Sequence, residues 1–389
     1  MSQRALLPLL GLIALVLPAC GSDDDTADAT SEIPTTPPAQ TTATTAADED
    51  LTVTAGEPFP QARCEANRDA GTITYLSGFD FAATASIVEV VIAEQARYFD
   101  ELCLDVELQP SFSTANYPIV ASGEAQFASG GSFSEVLNYA AANDADLVAV
   151  AVEGRSAIDG LILHPGTATE LEDLAGSTIG VKGALPTSVK AMLASAGLEE
   201  GVEYETVLLD GFDPLAHWAL DGIVGFPGYK SNEPGQLERA GIAFDLFDPT
   251  DYDVPGSFGV LYTTRQFIDE HPTAVQDFLR ASMRGLADAV ADPTGAAETA
   301  IALVEAGGNP SFLSAEGEAF RWNTDAELLA GQGGAPMGVP ELDGLQTEVA
   351  AYADVGLFGD DAAPDLMTAV DVDSISGVYD EAGHVIWPS

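Results

Sequence analysis

Asp221-Gly-Ile-Val-Gly-Phe-Pro-Gly-Tyr-Lys-Ser-Asn-Glu-Pro234 opens as a buried strand end and closes as a loop that carries chemistry. Ile223–Phe226 is a short apolar run, and Pro227-Gly228 is a strong turn signal. Tyr229, Asn232 and Glu233 then supply a ring, an amide and a carboxylate. In open α/β sheets, ligands sit in the crevice beyond the carboxyl ends of the strands. A loop of this composition placed there can stack a flat ring and hydrogen-bond its edge. The competing reading is a polar surface turn that caps a helix beginning near Pro234.

The flanking sequence supports an α/β fold. Gly71–Leu76, Leu102–Leu108, Ala125–Ser129 and Asp146–Val152 read as strands. Helices fall between them at Ile87–Phe99 (capped by Thr84 or Ser86), at Tyr117–Ser122 and from Ser134 onward. Such alternation predicts parallel strands covered on both faces. A second set follows, with strands at Leu161–His164, Thr178–Lys182, Tyr204–Leu208, Ile223–Phe226 and Phe244–Phe247. Its helices are Glu170–Leu174, Val189–Ala196 with Thr187 or Ser188 as cap, Pro214–Leu220 and Leu237–Ala240. Gly259–Tyr262 is a further strand, and helices follow at Ala274–Ala291, Gly295–Ala306 and Leu342–Val355.

Composition narrows the partners. The 389 residues carry 13 Lys and Arg against 62 Asp and Glu, a formal net charge of −49. A field of that sign repels nucleic acid and anionic lipid. So large an acidic excess in a foldable chain also implies a strongly hydrated surface, suited to a salty habitat. His164, His217, His271 and His384 are scattered without ligand spacing, so no metal site and no cofactor is expected.

The N-terminus reads as an export signal. Arg4 supplies a positive charge, and Ala5–Val16 is apolar but too short to span a bilayer. Leu17-Pro18-Ala19-Cys20 resembles a bacterial lipobox with Cys20 as the acylated residue, although Pro18 is an unusual occupant of the second position. A plain secretory signal with a chance cysteine is the alternative. Residues 21–62 form an acidic, Thr- and Pro-rich tether too poor in large apolar side chains to offset chain entropy. With Cys20 lipidated, Cys64 and Cys103 remain, an even pair in an oxidising compartment. A disulfide between them is expected; two buried free thiols are the alternative.

Four segments carry a family resemblance. They are Ala96-Arg-Tyr-Phe-Asp-Glu-Leu-Cys-Leu-Asp-Val-Glu-Leu108, Leu171-Glu-Asp-Leu-Ala-Gly-Ser-Thr-Ile-Gly-Val181, Asp221–Tyr229 with Asn232-Glu233-Pro234, and Val260–Leu279. In this order they resemble type II periplasmic solute-binding proteins of ABC importers, in particular the nitrate/sulfonate/taurine and thiamine-pyrimidine-precursor or riboflavin-binding group. Leu102-Cys103 departs from the family's usual Gly before Leu-Asp-Val. The resemblance implies an α/β fold of two lobes around a ligand cleft, hinged on crossover strands near Ile158–Leu163 and Gly259–Thr263. Residues 63–158 plus 261–389 would form one lobe and 159–260 the other. It also implies a monomer anchored by lipid to the outer face of the cell membrane, delivering a small molecule to a permease and its ATPase.

Several loops should then meet at the cleft. Phe79, Asp80 and Phe81 can sandwich a ring and bind its N–H, unless a Phe is spent on the core. Gly131 and Ser132 offer backbone N–H groups between strand and helix, or form a plain tight turn. Lys182 and Ser188 belong to the equivalent loop of the second lobe, where Ser188 donates to a ligand or caps its helix. Trp218 stacks on ligand or packs in the core. Tyr229, Asn232 and Glu233 complete the set, with Tyr229 as stacking surface and Glu233 as edge reader.

A carboxylate in a half-dry cleft favours a donor-rich ligand such as an amino-pyrimidine or flavin. A sulfonate or nitrate is the alternative ligand. A fungal-type pyrimidine-precursor synthase is the alternative of another class, but such enzymes use an iron-associated Cys-rich stretch, and this chain is not read as an enzyme. The acidic excess yields a test independent of ligand. Screening should relieve self-repulsion, so the melting temperature should climb steadily across a sodium chloride series; a flat series would remove the argument.

Overall fold

A computed structural model describes residues 51–308, 313–359 and 363–389. The signal, the lipobox and Cys20 lie outside the described residues. Four strands come first: β1 (Thr72–Leu76), β2 (Asp105–Gln109), β3 (Phe127–Gly130) and β4 (Leu147–Gly154). The second set is β5 (Asp159–Leu163), β6 (Thr178–Val181), β7 (Glu205–Leu208), β8 (Gly225–Tyr229) and β9 (Asp245–Phe247), and β10 (Phe258–Thr264) closes the series. One sheet has the order β2-β1-β3-β10-β4; the others are β8-β5-β9 and β6-β7.

The pairing is parallel for β1 with β2, β1 with β3, and β6 with β7. Helices separate these strands in sequence, as parallel neighbours require. Strand β10 departs from the parallel expectation. It enters from the second set without an intervening crossover helix, and it runs antiparallel to both β3 and β4. Likewise β5 is antiparallel to β8 and β9.

The Pro227-Gly228 turn signal is overturned. Both residues lie within β8, paired with Leu161 and Gly160. Because β8 is a sheet edge, the N–H that Pro227 lacks is not needed by a second neighbour. Gly228 is required by closeness: a Cβ there would sit 2.8 Å from the Cβ of Glu233.

Helix starts also differ from expectation. The predicted Ile87–Phe99 helix is Val88–Gln95 and a short turn Tyr98–Glu101, broken where Arg97 takes φ 63°. Neither Thr84 nor Ser86 caps it: Ile87 takes the cap position without a side-chain bond, while Thr84 Oγ1 donates to Asp325 and Ser86 N to Glu153. The second-set helix is Thr187–Ser195, so Thr187 and Ser188 lie inside it rather than capping it. Helices at Pro272–Ala291, Pro293–Gly307 and Leu342–Asp354 match expectation closely. Ala315–Ala330 is an additional helix.

The main core is aromatic. Phe278 stacks on Phe127 at 4.0 Å between ring centroids and on Phe99 at 5.2 Å, with Tyr75 tilted at 6.3 Å. All four are buried. The helix Gln61–Asp69 is pinned to this layer through buried Asp277, which accepts from Arg63 Nε at 2.6 Å, Asn67 Nδ2 at 2.8 Å and Arg280 Nε at 3.0 Å. The tether expected to reach residue 62 therefore ends sooner. Arg63 holds the Leu51 carbonyl, and Gly56 and Glu57 bond to Trp387 and Ser389 near the C-terminus.

Cys64 and Cys103 form a disulfide across a sequence separation of 39. Elsewhere in this core, Glu89 and Glu153 lie side by side, buried and outside any ion pair among the described residues. Burial, reinforced for Glu89 by the charge of its partner, pushes both carboxyls above the ordinary range.

Two tests follow from this architecture. Replacing Cys64 and Cys103 together by Ser should lower the free energy of unfolding by about 4 kcal/mol, from the loop closed, read by denaturant titration of the oxidised parent and the variant. For the carboxyl pair, the unfolded chain ionises in the ordinary range whereas the folded chain keeps its proton to higher pH. Stability is thus full in acid and falls as pH rises through the raised folded values. Glu153→Gln should flatten that fall, leaving the variant more stable than the parent at pH 8 and little different at pH 4.5.

Candidate functional site

The amino end of β5 and the carboxyl end of β8 place two side chains together: Asp159 pairs across the ladder with Tyr229. Tyr229 is 46% exposed. Yet protein crowds its hydroxyl, which is raised well above the ordinary phenol range by desolvation and then by the charges of Asp159, Glu135, Glu233 and Asp325. A ring open to solvent but hemmed on several sides marks a cleft.

The opposite wall comes from the β3 end. A methyl group at Gly131 would lie 2.5 Å from the Glu135 carboxylate and 3.6 Å from the Tyr229 hydroxyl. The two loops proposed to converge there do so. Ser132 caps the helix Phe133–Asn143 in a capping box with Glu135, because its Oγ accepts from Glu135 N. The next amides are also taken. Phe133 N donates to Ser257 Oγ at 2.9 Å, and Ser134 N donates to Glu348 Oε1 at 3.2 Å. Burial raises the Glu348 carboxyl above its usual range.

Glu233 is buried at the first position of the helix Glu233–Arg239. Lys182 Nζ lies 2.6 Å from its Oε1, and Tyr229 N donates to its Oε2 at 2.8 Å. Both oxygens of Glu233, the expected edge reader, are thus engaged in holding the loop. Asn232 Oδ1 accepts from Arg321 Nη2 at 2.7 Å and Gln236 Nε2 at 3.0 Å.

The loop after β1 splits its residues. Phe81 is buried with Ile87, Val91, Val304 and Leu313, so it serves the core. Phe79 is half-buried, edge-on to Phe112 and beneath the Arg321 guanidinium at 5.6 Å. Asp80 is buried with φ 49° and accepts from Phe81 N. Trp218 does not join Tyr229. It packs against His164 at 4.1 Å and edge-on to Phe226, and residues 226 and 229 point to opposite faces of β8.

Two contributors lie outside the sequence-predicted set. Asp159 receives Ser188 Oγ at Oδ2, 3.2 Å away, and burial pushes its carboxyl up to about 7, assisted by Glu135 and Glu233 and opposed by Ser188 and Lys230. The helix Ala315–Ala330 supplies Glu318, Arg321 and Asp325. Glu318 accepts from Ala83 N at 2.6 Å, and Asp325 accepts from Thr84 Oγ1 and from Ala85 N at 3.1 Å. With Glu153 on Ser86 N, three carboxylates fill the amides ahead of the helix Val88–Gln95.

Comparisons with known proteins agree with this architecture. The family described as "NMT1/THI5 like" matches residues 84–296, more than half of the chain. A riboflavin-binding protein, RibY of Chloroflexus aurantiacus, is 32% identical over 137 residues, 34% of this chain and 38% of that protein. The chain thus spans about two fifths of the length of the curated relative it matches. Among solved structures, the periplasmic aliphatic sulphonate binding protein SsuA of Escherichia coli superposes with a TM-score of 0.58 at 13% identity, over 76% of this chain and 91% of that one. A putative periplasmic sulfonate-binding protein of Methylobacillus flagellatus gives 0.57 at 16% identity, over 78% and 92%. These likenesses establish an α/β, two-lobe periplasmic binding protein fold, and the chain belongs to the NMT1/THI5-like family.

Proposed function

We propose that the protein is an extracytoplasmic solute-binding component of an ABC importer that captures a small, flat, donor-rich heteroaromatic vitamin or precursor. The observation that carries this reading is the Tyr229 ring, exposed in a cleft and ringed by carboxylates. The first lobe comprises residues 63–158 and 261–389, the second 159–260, and hinge closure between them would bury the ligand. The name of the Chloroflexus relative supports a flavin, and a pyrimidine of the thiamine-precursor type meets the same requirements.

An anion is the second reading, raised by the sulfonate-binding names of the structural neighbours. Two features weigh against it. The first amides of the Phe133–Asn143 helix are already taken by Ser132, Ser257 and Glu348. The nearby cations are also spent, Lys182 on Glu233 and Lys230 on Asp248 at 2.8 Å. A carrier role, rather than catalysis, also suits Cys64 and Cys103, which are joined to each other. Among the described residues no helix is long and apolar enough to cross a membrane. Lipidation at Cys20 would supply the anchor, with a permease and its ATPase as partners and a monomer as the working form.

Thermal shift of the lipid-free protein against hydroxymethylpyrimidine, thiamine, riboflavin, taurine and nitrate tests the choice. A cognate ligand at a thousandfold excess over Kd stabilises by about 4 kcal/mol. A heterocycle should give that shift, and Tyr229→Ala should weaken it by up to about tenfold in Kd through loss of stacking. A shift with taurine or nitrate alone would replace this reading with the anion one.

A further inference from the structure

Among the acids around Tyr229, Asp159 is set directly across the ladder from the ring and keeps one oxygen unbonded without burying it. Glu233 has both oxygens engaged, Glu348, Glu318 and Asp325 each hold an amide with one oxygen and bury the other without a hydrogen bond, and Glu135 holds Ser132 N in its capping box. Asp159 differs. It is only partly buried, Ser188 reaches Oδ2, and Oδ1 receives no hydrogen bond from the described residues. It stands directly across the ladder from Tyr229, at the first position of β5, where the chain enters the second sheet.

Every element packed near it presents a defined group. Glu135 faces it from the Phe133–Asn143 helix and Ser188 from the Thr187–Ser195 helix. Tyr229 and Lys230 come from β8 and the residue after it, Glu233 from the following helix, and Tyr352 from the Leu342–Asp354 helix. Lys230 is committed to Asp248, and Lys182 to Glu233. No described cation is paired with Asp159, while two carboxylates oppose its ionisation.

We propose that Asp159 is the specificity-determining acid of the cleft, accepting at Oδ1 an N–H from the edge of a heterocycle that lies on Tyr229. This rests on the heteroaromatic reading of the site. A hydrogen-bond donor, or a cationic N–H, favours the ionised carboxylate. A ligand with only acceptors or negative charge would meet Asp159, Glu135 and Glu233 with no compensating donor, and the site rejects it.

The sign follows from the empty site. Its carboxyl is held up to about 7 by burial. Below that value the ligand must displace a proton, so affinity should improve by about tenfold per pH unit up to pH 7 and level off above it. Riboflavin, which stays neutral across pH 5 to 8.5, is the probe, with hydroxymethylpyrimidine, taurine and nitrate alongside. Calorimetry on the whole lipid-free protein should show proton release at pH 6 and little at pH 8.5. Asp159→Asn should weaken binding at least tenfold at pH 8, bind like the parent at pH 5, and show no pH dependence between. Ser188→Ala removes a hydrogen bond that favours the carboxylate, so its midpoint should move to higher pH.

The outcomes separate. Heterocycle binding by the parent that Asp159→Asn leaves unchanged, with the same pH profile, overturns the assignment of Asp159 while the proposed function stands. Binding of taurine or nitrate alone, or of no probe, overturns the heteroaromatic reading and this assignment with it. Thermal unfolding of Asp159→Asn guards against trivial loss, since removing a charge hemmed by Glu135 and Glu233 should leave the melting temperature equal or higher.

Discussion

Strand β10 lies between β3 and β4 and bonds to both, antiparallel, through Val260–Tyr262 and Phe258–Thr264. Its neighbours β3 and β4 precede it by more than a hundred residues, all of the second strand set lying between. The chain must therefore leave the first sheet at Gly154, build β5 to β9, and return through Phe258. Two passages thus join the two halves, and a cleft between them is a consequence of the pairing. Loosening β10 would cost more than one ladder, because Tyr262 also stacks with Tyr117 at 5.3 Å and Leu261 belongs to the main core.

A chain rich in acids has ample acceptors for the N–H donors of its helix starts. Here it uses its own acids and hydroxyls. Glu318, Asp325 and Glu153 take the amides of Ala83, Ala85 and Ser86, and Glu348 takes that of Ser134. A carboxylate at a helix N-terminus gains from the helix dipole as well as from the hydrogen bond. The cost is desolvation, visible in the raised carboxyls of Glu318, Asp325 and Glu348. The same arrangement shapes recognition, since amides that could bind an anion are occupied before any ligand arrives.

Much of this was legible in the sequence because apolar periodicity is a local property. Among the described residues each strand overlaps its expected stretch, β8 only at Gly225 and Phe226, most helices do the same, and the four segments in order carry the fold. What escaped was set by distant neighbours. Pro227-Gly228 signals a turn on local grounds, but as an edge strand β8 tolerates a missing N–H. Ala315–Ala330 has a Ser314 cap and an apolar stripe at Ala319, Trp322, Ala326 and Leu329, a signal that was available. Its buried face also carries Glu318, Arg321 and Asp325, which blurred the amphipathic pattern. Ser188 has the composition of a cap, but only the folded chain shows that it points at Asp159.

The exchange of roles between Glu233 and Asp159 shows why the site was harder to read than the fold. Both are acids near Tyr229, and sequence proximity favours Glu233, four residues away. Proximity is also what disables it: at that distance the carboxylate folds back onto Tyr229 N, and Lys182 completes its neutralisation. Asp159 is seventy positions upstream and reaches the ring only through the β5–β8 ladder, whose register sets it opposite Tyr229. A carboxylate that holds the loop cannot also follow a ligand edge, since each oxygen it turns outward would leave a buried donor unpaired. The division of labour is therefore enforced: the neighbouring acid fixes the loop that carries the ring, and the acid brought in by the sheet keeps an oxygen open beside it.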